Sequence, residues 1–184
     1  LQLVVSGSAL LDRYGNAVNY IEDDGFVINE KVFIVLEGEN KTSMAKTTGL
    51  GVMELSNTFY NLKPDAVVAI ADRFETIAVS IAASYQNIPL VHIQGGEVTG
   101  NIDEKVRHAN TKLADIHLVA SEPAFSIFKK ENLQARFFLK ESIDTRKEIG
   151  VDVLLHNAEK LIDEVDPHAI LVGLSGPQPG VDEA

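Results

Sequence analysis

The sequence predicts an α/β protein built on a doubly wound parallel sheet. Three observations predict it. Apolar runs of strand length alternate with helical stretches from residue 1 to about residue 132. The central runs, Ala66–Ala71 above all, are apolar at every position rather than at alternate ones, as parallel strands covered on both faces require. Polar residues then gather where those runs end, the edge at which proteins of this class carry their sites.

Leu1–Val5 is a short buried strand closed by the turn Ser6-Gly7. Gly15-Asn16 marks another turn, and Ala17–Glu22 reads as one or two turns of helix. After the break at Asp23-Asp24-Gly25, Phe26–Leu36 holds a second strand. Thr42–Leu62 reads as a long helix. Met44, Val52, Leu55, Phe59 and Leu62 fall near the helical period, with Leu50 and Met53 widening the stripe. Thr42 or Ser43 could cap it. Gly49 and Gly51 weaken its middle by about 1 kcal/mol each relative to Ala, and Pro64 ends it.

Ala66–Ala71 is the central strand, and Phe74–Tyr85 is a helix with so little charge that it must pack on the sheet. Pro89–Ile93 is the next strand. Asp103–Leu113 is a helix whose first turn carries Asp103 and Glu104, suited to the positive end of the dipole. Asp115–Ala120 is a further strand, and a helix follows from Ser121 or Glu122 with Pro123 in its first turn. Beyond Asn132 the elements are a strand at Arg136–Leu139, an amphipathic helix at Ala158–Val165, a strand at Ala169–Leu174 and a turn-rich stretch from Ser175 to Gly180.

Composition narrows the function. The 184 residues suit one ordinary domain or slightly more, and 45% hydrophobic with 23% charged residues is globular. The net charge of −11 argues against a general binder of nucleic acid or anionic membranes. Cysteine is absent, so disulfides, thiolate zinc sites and a cysteine nucleophile are excluded. No apolar run approaches the roughly 18 residues of a membrane span. The opening LQLVVSG lacks both Met and a basic leader, and reads as part of something longer.

The chemistry-bearing residues lie between Asp72 and His108. Asp72 stands where the central strand runs out; it is either a helix N-cap or a site carboxylate. Arg73 beside it either pairs with an anion or is solvated. His92 lies near the end of a strand of branched residues, a place where a hydrogen-bonded core histidine is common. Gly95-Gly96 permits close backbone approach or positive φ, but the spacing matches neither a dinucleotide fingerprint nor a phosphate-binding loop. Asp103 with Arg107, and Glu104 with His108, are four apart on one helical face. They are either surface pairs or carboxylates oriented by cations, as acid–base chemistry needs. Glu97 adds a carboxylate from the loop.

The run H-I-Q-G-G-E-V-T-G-N-I-D-E-K-V-R-H-A (residues 92–109), with A-D-R at 71–73, resembles the hydrolysing UDP-N-acetylglucosamine 2-epimerases of sialic- and legionaminic-acid biosynthesis. The resemblance covers about residues 1–130. It implies one half of a glycosyltransferase-B-like fold, Rossmann-like and incomplete. The implied chemistry is elimination of UDP to a glycal, followed by hydration to N-acetylmannosamine. It implies Asp72 and Asp103 as catalytic groups, and with Gln94 in the chain either Glu97 or Asp103 is left to serve as the general base. Arg73, His92, Gln94, Gly95, Gly96, Glu104, Arg107 and His108 are the implied substrate contacts. It implies a nucleotide-sugar substrate, no metal or other cofactor, a homodimer and a cytoplasmic location.

The chain departs from the family pattern in several places. Ala71 stands for a Gly. Gln94 stands where some relatives carry an acid, and Gln cannot act as a general base. The family's opening strand is missing, so a gap is expected in the sheet. Residues 1–132 are therefore read as the family's Rossmann-like domain without its first strand, and 133–184 as an α/β segment outside the pattern. The alternatives are a non-catalytic nucleotide-sugar-binding module and a glycosyltransferase of the same fold.

Overall fold

The computed structural model describes residues 1–38, 40–70, 73–96, 100–119, 121, 123, 124 and 126, and the backbone of 135–137 and 170–174. Among these, strands β1 (Gln2–Ser6), β2 (Glu30–Val32), β3 (Ala66–Ile70), β4 (Leu90–Ile93), β5 (Ile116–Val119), β6 (Ala135–Phe137) and β7 (Ile170–Leu174) form one sheet in the order β2-β1-β7-β3-β4-β5-β6. Each neighbouring pair is parallel. The helices are α1 (Ala17–Asp23), α2 (Lys41–Leu62), α3 (Ile77–Tyr85) and α4 (Ile102–Leu113).

Strand alternation sorts the core onto two faces. Leu3 and Val5 of β1, Val68 and Ile70 of β3, and Val91 and Ile93 of β4 cluster with Val18 and Ile21 of α1. Their sequence neighbours Val4, Val67, Ala69 and Leu90 cluster instead with Leu55 and Phe59 of α2 and Ala78 and Ala82 of α3. Both faces are therefore covered, which is why β3 reads as uniformly apolar. Each fully buried branched side chain contributes about 1.5–3 kcal/mol.

The structure shifts several expected details. The second strand is only Glu30–Val32, and Phe33 beyond it is largely exposed. Helix α2 starts one residue earlier than expected. Its cap is Asn40, whose Oδ1 accepts from the Thr42 and Ser43 backbone N–H groups at 3.0 Å each. Its buried stripe is Thr47, Gly51, Leu55, Thr58 and Phe59, while Met53 faces solvent. Within this stripe Gly51 marks where α2 comes close to α3. A Cβ placed on Gly51 would meet the Ala78 Cβ at 3.0 Å. The stretch expected as one helix from Phe74 begins as a 3-10 turn, Phe74–Thr76, before α3. The helix expected after Ser121 and that at 158–165 lie outside the described residues, apart from Pro123, Ala124 and Ser126.

The expected gap is occupied. β7 lies between β1 and β3, with Val172 in register with Leu3 on one side and Val68 on the other. A strand from late in the sequence thus completes the middle of the sheet.

Candidate active site

Parallel pairing delivers the carboxyl ends of β1, β3, β4 and β5 to one edge of the sheet. Four segments there carry the candidate residues: Gly7 after β1, Arg73 to Thr76 after β3, Gln94 to Gly96 after β4, and the start of α4.

The helix start is built locally. Asn101 is in extended conformation and its Oδ1 accepts from the Asp103 N–H at 3.0 Å and the Glu104 N–H at 3.3 Å. That cap satisfies donors the helix cannot pair itself. Glu104 turns back to accept from the Gly100 N–H, and its other oxygen lies 3.7 Å from His108 Nε2 across one helical turn. This pair is partly exposed, so it contributes little to stability. Asp103 and Arg107 face inward. Asp103 is 8% exposed and Arg107 2%, so a carboxylate and a guanidinium one turn apart are both buried on the inner face of α4. Buried charges persist only where they are paired and hydrogen-bonded.

After β3, Arg73 Nε donates to Glu75 Oε1 at 2.7 Å. Thr76 Oγ1 donates to the Arg73 carbonyl at 2.7 Å and accepts from Asn110 Nδ2 of α4 at 3.0 Å. The turn after β3 and the inner face of α4 are thereby joined. After β4, Gln94 and Gly96 both adopt positive φ, 64° and 88°. Gly96 does so freely. Gln94 does so at a cost of order 1–2 kcal/mol, and its N–H is held by the Leu118 carbonyl of β5 at 2.8 Å. Gly95 and Gly96 are buried.

His92 is fully buried on β4, and its Nδ1 is 3.1 Å from Thr111 Oγ1 of α4. His117 of β5 stands in register beside it and is also buried. Burial pushes the His117 pKa below its ordinary value; Asp115 opposes that shift and Lys112 adds to it. Asp72 and Glu97 lie outside the described residues. Of the other candidates, Arg73, Gln94, Gly95, Gly96, Asp103, Glu104, Arg107 and His108 lie at the strand-end edge or on α4. Among the described residues no group of three or more His, Asp or Glu is arranged to hold a metal ion.

Sequence reasoning did not single out Glu75, Thr76, Asn101, Asn110 or Thr111. Asn101 had a usable signal, an N-cap residue type just before two acids. Glu75 had none, because residues two apart do not face each other on a helix.

A family model described as UDP-N-acetylglucosamine 2-epimerase matches residues 1–175. The chain belongs to this epimerase family. The match continues past residue 130 and takes in β6 and β7. Among curated relatives, the chain is 42% identical over 122 residues to the UDP-N,N'-diacetylbacillosamine 2-epimerase (hydrolyzing) of Legionella pneumophila, covering 66% of this chain and 32% of that protein. It is 38% identical over 135 residues to polysialic acid biosynthesis protein P7 of Escherichia coli, covering 73% of this chain and 34% of that protein. The chain thus spans about a third of the length of these relatives. Among solved structures, the UDP-GlcNAc 2-epimerase of Neisseria meningitidis bound to UDP-GlcNAc superposes with a TM-score of 0.65 at 19% identity, over 90% of this chain and 43% of that one. The UDP-N-acetylglucosamine 2-epimerase of Rickettsia bellii gives a TM-score of 0.56 at 16% identity, over 94% of this chain and 61% of that one. At these identities the likeness establishes the fold: an incomplete glycosyltransferase-B-like epimerase fold.

Proposed function

We propose that this chain is the catalytic-domain part of a hydrolysing 2-epimerase acting on a nucleotide-activated N-acetylglucosamine, in sialic- or legionaminic-acid biosynthesis. The supporting observation is the inner face of α4, where Asp103 and Arg107 are both buried at the edge where β4 ends. A buried acid held one turn from a fixed cation suits proton transfer in a water-poor cleft. The similarity to relatives named for hydrolysing 2-epimerisation supports the same reading.

In the proposed reaction a base takes the C2 proton of the sugar while the C1–oxygen bond to UDP breaks, leaving a glycal. Water then adds its oxygen at C1, and a proton returns to C2 on the opposite face, giving N-acetylmannosamine. Asp72, Asp103 and Glu97 are the proposed acid–base groups. Arg73, His92, Gln94, Gly95, Gly96, Glu104, Arg107 and His108 are the proposed substrate shell. Within that shell His92 acts from the core, through its contact with α4. Residues 1–132 carry this site, and the segment 133–184 returns β6 and β7 to the sheet. The proposal extends to a homodimer and to the cytoplasm, where nucleotide-activated sugars are available.

The test is incubation of the intact protein with UDP-N-acetylglucosamine and its diacetylated or GDP-linked counterparts. Free UDP or GDP together with a free 2-epimerised sugar is expected. Asp103→Asn should lower kcat by about 100-fold or more with the fold kept, since a positioned acid or base contributes about 10²–10⁴-fold. A product still bound to its nucleotide would refute the hydrolysing reaction, and turnover unaffected by Asp103→Asn would remove that residue from the chemistry.

A further inference from the structure

Glu75 is not among the proposed acid–base or substrate-binding groups, yet its carboxylate is buried at the same strand-end edge. It is 4% exposed and holds Arg73 Nε through Oε1 at 2.7 Å. The Arg73 side chain is itself 14% exposed, and its guanidinium carbon lies 5.9 Å from the centre of the Phe74 ring. Room for this pair comes from β1. Gly7, the residue after that strand, has φ +66°, and a Cβ there would sit 3.0 Å from Glu75 Oε1. Any side chain at residue 7 would press on the carboxylate. The pair therefore bridges the ends of β1 and β3.

The pair is also incompletely satisfied. Arg73 Nη1 and Glu75 Oε2 are buried and have no hydrogen-bond partner among the described residues. Leaving a buried donor of a charged group unpaired is costly, and such a group calls for an explanation. A guanidinium gripped at Nε by a carboxylate presents its terminal nitrogens in a fixed plane, the geometry that matches phosphate oxygens.

We propose that Glu75 is a positioning residue. It fixes Arg73 so that Nη1 donates to a phosphate oxygen of the substrate's diphosphate. Glu75 touches no reacting atom; it acts through Arg73. This inference rests on the nucleotide-sugar reading and names the part of the substrate this pair would hold.

The test uses the intact protein and UDP as the probe, with Kd measured by calorimetry and turnover measured separately. Arg73→Ala should raise the UDP Kd about thirtyfold and Glu75→Gln about tenfold, in the range expected for a charge-assisted contact. The double variant should bind no worse than Arg73→Ala alone, because Glu75 has no effect once Arg73 is gone. A merely structural Glu75 would instead lower Tm and add its loss to that of Arg73→Ala. If Glu75→Gln does not fold, Glu75→Asp carries the test; it keeps the charge but draws the carboxylate back from Arg73 Nε, and should also raise Kd about tenfold, with no further loss when combined with Arg73→Ala. Additive losses, or UDP binding indifferent to both residues, overturn the inference while leaving any observed turnover intact. Coupled UDP binding without turnover upholds the inference and rejects the epimerase reading. A protein that neither binds UDP nor turns over refutes both.

Discussion

Asn110 Nδ2 of α4 donates to Thr76 Oγ1 at 3.0 Å, and both side chains are buried. This contact ties the helix that carries Asp103 to the turn that carries Arg73 and Glu75. Asn110→Ala leaves the Thr76 hydroxyl without this donor, and should cost about 1–3 kcal/mol. Chemical denaturation should show a lower midpoint with an unchanged slope. An unchanged midpoint would mean that the helix is held elsewhere.

His117 makes stability depend on pH. Its folded pKa lies below the ordinary value of 6.5, chiefly through burial. Between the folded and unfolded values the unfolded chain binds more protons, so stability rises with pH through that window. The contribution is fully present above about pH 6.5 and is lost as the pH falls toward the folded value. His117→Gln should flatten the stability profile in that window, above the range where most carboxylates titrate. Parallel profiles for the two proteins would show that another group is responsible.

Two glycines of α2 should respond oppositely to alanine. Gly49 has nothing within 4 Å of where its Cβ would be, so Gly49→Ala should stabilise by up to about 1 kcal/mol. At Gly51 the added methyl meets the Ala78 Cβ at 3.0 Å and Ile34 Cδ1 at 3.3 Å. Overpacking there should outweigh the helix preference, with a net loss of about 1–3 kcal/mol. Thermal unfolding of the two variants side by side decides the matter, and equal shifts of Tm would contradict the close packing of α2 on α3.

Val172 lies in the middle of β7, flanked on both sides. Val172→Pro removes a backbone donor from a central strand, which proline does not tolerate. Loss of about 3 kcal/mol or more, seen as a broadened or absent cooperative transition, is expected. A variant as stable as the parent would show that β1 and β3 do not depend on β7.

The sequence by itself determined the fold class. The strands β1, β3, β4, β5 and β7 and the helices α2 and α4 follow from apolar runs and helical periodicity, which are local properties. It also determined the candidate stretch, because Asp103, Arg107, Glu104 and His108 share a helical face through spacing alone, and because the motif at residues 92–109 is long. Only the tertiary structure decided which members of that face are buried: Asp103 and Arg107 inward, Glu104 and His108 at the rim. That choice depends on what α4 packs against, here Thr76 and His92, which are distant in sequence. The same is true of the grip of Glu75 on Arg73 beneath Gly7, and of β7 between β1 and β3. Strand order is set by long-range pairing, and a run of five apolar residues carries no record of which neighbours it will pair with.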